Sequence, residues 1–264
     1  MKKYLEIAKI HFKAQIAYRF DVAMTMVFTI SKILFAYILW DAVFGQNETV
    51  AGFTFPMMFS YYIISSFLYQ IEMSDRVSWE VSARIRDGSF SKYMVIPVNP
   101  QRYFIAQTLG AMMFYPLFIF ASTAAWVVLF RVKLVIACDT AVIAAALIMT
   151  VLGLLFMIQL NYLLGILAFR FQDISVFLMI KGNIVAFITG ALVPLVLLPR
   201  GIVSVMRFFP FYYVTYLPSM LLIGRNKEEA LTGIAVLAAW LLLFTILNKY
   251  AYSKFRVMYD GVGI

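Results

Sequence analysis

Six long apolar segments constrain the fold of this chain more than any other feature of its sequence. A helix of about 20 apolar residues crosses the hydrocarbon core of a bilayer, so each segment is long enough to span one. Hydrophobic residues make up 64% of the 264 residues and charged residues only 13%. Soluble domains have about 45–50% apolar residues and about 25% charged residues. We therefore predict an all-α polytopic membrane protein, a single transmembrane domain over 1–264. The six transmembrane helices are expected at about 22–44, 54–72, 103–130, 140–169, 174–198 and 229–250.

The distribution of lysine and arginine predicts the orientation of these spans. Connections on the cytoplasmic side of a membrane carry an excess of basic residues. If the N-terminus is cytosolic, fifteen basic residues lie inside and six outside, with Lys32 within the first span. The outer six are Arg131, Lys133, Arg200, Arg207, Arg225 and Lys227. This places both termini in the cytosol of a bacterial cytoplasmic membrane, and it accounts for the net charge of +9 without a nucleic-acid partner.

A seventh apolar stretch, residues 208–223, is predicted not to cross the membrane. It is short, it contains Pro210 and Pro218, and proline inside a helix removes a backbone hydrogen bond and bends the chain. A seventh crossing would also put the C-terminal lysines outside. We expect an external re-entrant hairpin over 200–225.

The first nineteen residues are predicted to form an amphipathic helix that lies along the cytoplasmic membrane surface. Lys2, Glu6, Lys9 and Lys13 fall within one narrow arc of a helical projection, and apolar residues cover the rest. This helix is either a simple membrane anchor or an element that also touches a cytoplasmic partner. His11 lies on its apolar side.

The residues needed for intramembrane enzyme chemistry are scarce. Apart from Asp41, the spans hold almost no carboxylates, and one cysteine, Cys138, provides neither a disulfide framework nor a zinc-ligand pattern. No phosphate-binding G-x-x-x-x-G-K-[ST] loop is present, so any ATP that drives this protein is bound by another chain. The chain is therefore predicted to be no enzyme and to bind no cofactor or metal itself.

Polar residues within the spans are candidates for a translocation route. These are Lys32, Asn161 and Asn183, because polar groups at membrane depth usually face a cavity or a partner. Lys32 either lines the route or pairs with a group on a neighbouring helix. An ion-coupled secondary carrier or channel stays as an alternative, and so does a non-transporting enzyme or scaffold.

The fifth span carries a stripe of small residues. Gly182, Ala186 and Gly190 recur every four residues, a spacing that lets another helix approach closely. The stripe fits either packing within the chain or a dimer seam.

The connection between the second and third spans, residues 74–100, is predicted to form a compact structure that we call the knob. Residues 74–86 have a helical pattern with Val77, Val81 and Ile85 on one side. Asp87-Gly88 supplies a turn, Ser89 caps a short helix through Val95, and Pro97 and Pro100 end it. Such a structure has the shape of a docking element.

Two segments resemble the permease subunits of ABC-2 type ABC transporters. They are "IRDGSFSKYMVIPVNPQRYFIAQTLG" in and after the knob and "FPFYYVTYLPSMLLIG" before the last span. The likeness lies in the acidic-Gly pair, the Lys-Tyr before an apolar run, the Pro-x-x-Pro lead into the third span and the aromatic-proline segment. Six spans and an amphipathic N-terminal helix agree with it, so the resemblance covers the whole chain.

The resemblance implies the permease of an ATP-driven exporter, one half of a pore. A second permease, identical or homologous, pairs with it through the first and fifth spans, where Gly182, Ala186 and Gly190 would lie at the seam. Separate ABC ATPase subunits bind ATP-Mg, and the hairpin caps the route outside. The cargo would be an amphipathic, lipid-like, drug or peptide molecule. The knob would be the coupling helix that fits the ATPase, flanked by the N-terminal helix. Its coupling residues would be Arg84, Ile85, Arg86, Asp87, Gly88, Ser89 and Lys92.

Overall fold

The chain is almost entirely helical where its structure is described. The computed structural model describes residues 2–17, 19–45, 47–116, 120–121, 124, 133–171, 173–190 and 195–259. In these residues the only extended pairing is one isolated bridge between Val50 and Phe53. The helices are α1 Lys2–Ala17, α2 Arg19–Phe44, α3 Phe55–Ile71, α4 Asp75–Arg86, α5 Ser91–Val95, α6 Pro100–Met112, α7 Thr140–Ile166, α8 Ser175–Ile188, α9 Arg200–Met206, α10 Leu217–Leu222 and α11 Ala230–Phe255.

Several helix starts follow from local sequence chemistry. The side chain of Asn99 accepts a hydrogen bond from the backbone N–H of Arg102 at 3.0 Å, and Pro100 occupies the first position of α6. The carboxylate of Asp139 accepts from the N–H of Ala141 at 3.0 Å at the start of α7. Asparagine and aspartate are preferred just before a helix because their side chains accept hydrogen bonds from the free N–H groups of the first turn. Proline is preferred at the first helical position because it has no N–H group to satisfy.

Two long helices meet the requirements of a membrane span by length and composition alone. They are Thr140–Phe169, which is α7 with its final 3₁₀ turn, and Lys227–Met258, which contains α11. Their mean hydropathies are 2.8 and 2.4. Helices also occupy the other predicted segments to different extents, and the count of six crossings stays a prediction.

The predicted third and fifth spans differ from the helices observed. α6 ends at Met112 with a turn at 113–114, and most of residues 117–132 lie outside the described structure. Within the segment predicted as the fifth span, 174–198, α8 ends at Ile188 and Gly190 adopts a left-handed φ of +74°, while the span itself stays a prediction. Such a φ suits glycine and ends a helix.

Helix α7 lies at the centre of the bundle, packed against α11, α4, α10 and α6. It approaches α4 most closely at Gly165, where an added Cβ would come within 2.7 Å of the Cβ of Val81. α1 crosses α6 in a similar way, since Gly110 faces the backbone of Ala8. Small residues at these crossings let the helix backbones approach, and they fix α1 and α4 against the bundle.

The segment before the last helix is made of two helical pieces rather than one straight helix. α9 precedes a turn, after which Tyr212–Tyr216 form a π-helical segment that continues into α10. The π-helical segment lies just before Pro218, which has no N–H group and so cannot donate a regular helical hydrogen bond. The side chains of Tyr212–Tyr216 are buried against α7 and α11. The external re-entrant hairpin expected over 200–225 stays a prediction.

Candidate functional site

The knob contains two helices, and the longer one, α4, packs on α7. α4 buries Val77, Val81 and Ile85 in one cluster with Ile158 and Ile166 of α7. The apolar face of α4 is the one that its sequence pattern predicts. α4 is therefore held by the bundle along its whole length.

The turn between α4 and α5 is fixed by hydrogen bonds that converge on Gly88. Gly88 has a φ of +78°, in the left-handed region that favours glycine. Its carbonyl accepts from the hydroxyls of Ser91 at 2.9 Å and Tyr259 at 2.5 Å. Tyr259 follows the 3₁₀ turn after α11, so the end of the chain stabilises the turn of the knob.

Phe90 anchors α5 to the bundle through an aromatic cluster. Its ring is fully buried and lies 5.2 Å from the ring of Phe169, edge to face, and 5.3 Å from that of Tyr93. Tyr252 and Tyr259 approach the same ring. Aromatic pairs in such arrangements contribute about 0.5–1.5 kcal/mol beyond the burial of their area. The short helix α5 thus depends on side-chain packing rather than on its own length.

The predicted coupling residues differ in burial: Ile85 and Gly88 are buried, and Arg84 is half-buried. Ile85 is only 3% exposed. Arg84 donates two hydrogen bonds to Glu80, at 2.9 and 2.5 Å, and its guanidinium stands 5.5 Å over the ring of Tyr93. Gln107 of α6 donates to the same carboxylate at 2.6 Å. The structure gives Arg84 and Ile85 packing contacts, which removes Ile85 from any contact surface.

Four other predicted coupling residues form the outer side of the turn. Asp87 and Lys92 are exposed, and Arg86 and Ser89 are half-buried. Hydrogen bonds from the hydroxyl and the backbone N–H of Ser89 lower the pKa of Asp87. A lowered carboxyl pKa keeps the group ionised at neutral pH, and the stabilisation is lost only in acid. The turn therefore presents both signs of charge side by side.

An apolar tip next to these charges was missed in the sequence. Val95 is 85% exposed, and its neighbours Met94 and Ile96 are exposed as well. The only signal in the sequence is three apolar residues in a row before Pro97, outside any predicted span. α1 contacts this tip, because Lys3 donates to the carbonyl of Pro97 and Tyr4 accepts from the N–H of Asn99.

The three residues predicted to line a route have different surroundings. Asn161 is fully buried and donates to the hydroxyl of Ser74 at 2.6 Å and to the carbonyl of Met157 at 3.1 Å. Asn161 therefore packs inside the chain and lines no open space. Lys32 is exposed, with its Nζ 5.5 Å from the centroid of the Tyr69 ring, and Asn183 is exposed on α8. No hydrogen bond joins any two of these three side chains in the described residues.

The stripe of small residues on α8 is shorter than its sequence spacing suggests. Gly190 lies beyond the end of the helix, and an added Cβ there would come within 2.8 Å of the hydroxyl of Tyr61. Gly190 is therefore packed within the chain and does not extend the stripe. At Gly182 an added Cβ would meet nothing within 4 Å, so the surface at Gly182 is open.

An ion pair connects α8 to the knob. Lys181 pairs with Asp75 at the first position of α4. The two residues line a groove between α4 and α8. In the described part of the chain no three histidine, cysteine, aspartate or glutamate side chains gather into a possible metal site.

Comparisons with known proteins identify one family. A family model described as "ABC-2 family transporter protein" matches residues 30–263. No curated protein and no solved structure matches the chain. The matched range includes the knob, residues 200–225 and both long apolar helices.

Proposed function

The chain belongs to the ABC-2 family of transporter proteins, and from this premise we propose that it couples ATP hydrolysis to export through its knob. As a member of that family it is an integral membrane protein, the permease of an ABC transporter, and it works with ABC ATPase subunits. We infer the finer assignment, ATP-driven export by a pair of permeases, from the surfaces described above.

The knob is the observation that carries the proposal. It is fixed to α7 by apolar burial and to the end of the chain by Tyr259. Its outer side presents Asp87 and Lys92 beside the exposed apolar tip at Val95. An apolar contact beside charged groups is the composition of a protein interface, whose core excludes water and whose rim is polar. This surface would transmit movement because its base is rigid.

The N-terminal helix is proposed as a second contact with the ATPase. It is attached to the tip of the knob through Pro97 and Asn99, and it packs along α6. A rotation of the knob would therefore pull on α1 and α6 together. The outer end of the route would be capped by the hairpin of α9 and α10.

A second permease is proposed to pack against α2 and α8. Large apolar side chains on both helices are exposed, among them Phe28 and Phe35 on α2 and Met179 on α8. These faces suit lipid or another permease. The open surface at Gly182 supports close approach of a helix from that second permease.

The cargo is proposed to be an amphipathic, lipid-like, drug or peptide molecule that moves outward across the bacterial cytoplasmic membrane. Methionine and aromatic side chains suit apolar bodies of varied shape, and the chain has 15 methionines and 17% aromatic residues. ATP and its magnesium would be bound by the partner ATPase. Both termini would lie in the cytosol.

Co-purification with its partner ABC ATPase tests the proposal. Combined Arg86→Glu and Lys92→Glu should reduce recovery of the ATPase at least tenfold, because reversed charges at an interface repel a complementary surface. Lys254→Glu makes the same kind of change at an exposed residue near the end of α11, and should leave recovery unchanged. Normal recovery with both knob charges reversed would contradict the proposal.

A further inference from the structure

A cavity of about 450 Å³ lies at the end of the molecule opposite the knob. Its walls come from residues 51–53 before α3, residues 195–207 around α9 and residues 216–226 after the π-helical segment. α3 begins beside this cavity and ends beside the knob, so the two features lie at opposite ends of one helix. We call it the arginine cavity, because Arg200, Arg207 and Arg225 all line it.

The positive charges of this cavity are only partly neutralised. Arg207 forms an ion pair of 2.7 Å with Glu229, which also accepts a hydrogen bond from Asn226. Arg200 and Arg225 form no ion pair with a carboxylate in the described part of the chain. None of the described residues that line the cavity is acidic. Two guanidinium charges therefore remain without a counter-ion.

The position of these arginines is unusual for the predicted topology. Outer connections of membrane proteins carry few basic residues, and this chain places six there. Half of the six line the same cavity. Like charges that share a concave site repel one another and produce a strong positive potential there. A bound anion reduces that repulsion. Membrane orientation alone gives no reason for such a cluster.

Two of the three arginine side chains are held in place by neighbouring aromatic rings. The guanidinium of Arg225 lies 4.9 Å over the ring of Phe53 and donates to the carbonyl of Gly52. That of Arg207 lies 5.8 Å over the ring of Tyr212. Arg200 is exposed on the first turn of α9, and its guanidinium forms no ion pair within the part of the chain that the structure describes. The cavity thus combines two oriented guanidinium groups with one that is free to close on a ligand.

We propose that the arginine cavity binds the phosphate group of an anionic ligand at the outer end of the permease. Guanidinium groups match phosphate oxygens with paired, charge-assisted hydrogen bonds, and they suit this role better than lysine. The volume exceeds that of a phosphate alone, and Phe53, Tyr216 and Met220 add apolar walls. This composition fits a phosphorylated head group with a carbon portion, from a membrane lipid or from a soluble molecule.

The binding test uses the purified full-length protein in neutral detergent, without an ATPase. Calorimetric titration with inorganic pyrophosphate measures the soluble source of phosphate. Native mass spectrometry of protein exchanged into phosphatidylglycerol or phosphatidylcholine measures the lipid source. Arg200→Gln should weaken the binding of one or both phosphate ligands at least tenfold, roughly the loss of one charge-assisted hydrogen bond. Its exposed position leaves the fold intact.

Lys227→Gln is the matched control, because it removes the same charge from an exposed residue at the same end, outside the cavity. Loss of pyrophosphate binding alone assigns a soluble ligand, and loss of phosphatidylglycerol retention alone assigns a lipid head group. The proposal is overturned if wild-type protein binds neither probe, or if the Lys227 variant loses as much binding as the Arg200 variant. Because no ATPase is present, this outcome is independent of coupling through the knob.

Discussion

Replacement of Phe90 by alanine should detach α5 from the bundle while the transmembrane helices stay folded. Phe90 is fully buried, and removal of a buried phenylalanine side chain costs about 3–5 kcal/mol. Part of that cost is the loss of ring contacts with Phe169 and Tyr93. α4 keeps its own apolar contacts with α7. The destabilisation therefore falls on the turn and on α5.

The size of the effect can be worked out from this local cost. At about 1.4 kcal/mol for each factor of ten, a loss of about 3 kcal/mol raises the population with α5 detached by roughly 100-fold. Amide hydrogen exchange reports this opening directly. The N–H of Phe90 donates to the carbonyl of Arg84 at 2.7 Å, and the N–H of Tyr93 donates to that of Phe90 at 2.9 Å. Both amides should exchange about 100-fold faster.

The Phe90→Ala variant should also lose affinity for the partner ABC ATPase. Affinity for the partner ABC ATPase is measured on the purified permease, next to exchange at a reference amide in α7. Phe208→Ala serves as the matched control, since Phe208 is 79% exposed and its removal leaves no cavity. Phe90→Leu should retain most of the affinity because it keeps apolar volume in the cluster. Wild-type exchange and affinity in the Phe90→Ala protein would refute the reasoning.

Two further predictions concern contacts that hold the knob from outside. Lys181→Met and Asp75→Asn should each lower the melting temperature, and the double variant should lose no more than the larger single effect. A double-mutant cycle should give a coupling free energy of about 1 kcal/mol or less, because the Asp75 side chain is 62% exposed. If the two single losses of stability simply add, the ion pair contributes nothing and the prediction is wrong. Tyr259→Phe removes the hydrogen bond to Gly88, worth about 0.5–1.5 kcal/mol, and should weaken ATPase binding while melting of the bundle is unchanged. Tyr250→Phe, at an exposed tyrosine on the same end, should have no effect.

Much of the fold could be predicted because it follows from local patterns. The length of the apolar segments predicts helices α7 and α11, and the helical spacing of apolar residues predicts the buried face of α4. The turn at Gly88 follows from the conformational freedom of glycine, and the break near Pro210 follows from proline chemistry. Each of these signals lies within a few residues of the feature it determines.

The contacts that decide which knob residues are free could not be predicted, because they join distant parts of the chain. Arg84 is held by Glu80, whose carboxylate also binds Gln107 on α6. Tyr259 reaches the carbonyl of Gly88 across 171 residues of sequence. A charge pattern marks a residue as polar but does not tell whether a partner in the same chain already satisfies it.

Site-directed crosslinking from the tip of the knob tests coupling most directly. Cys138 is the only cysteine, so Cys138→Ser provides a background without thiols. In that background Val95→Cys, at the most exposed apolar residue of the tip, should form a crosslink with the partner ABC ATPase. The yield should change when ATP is added. Leu231→Cys, which is 81% exposed at the opposite end of the chain's last helix, should form none. A crosslink from Leu231 and none from Val95 would contradict the assignment of the knob as the ATPase contact.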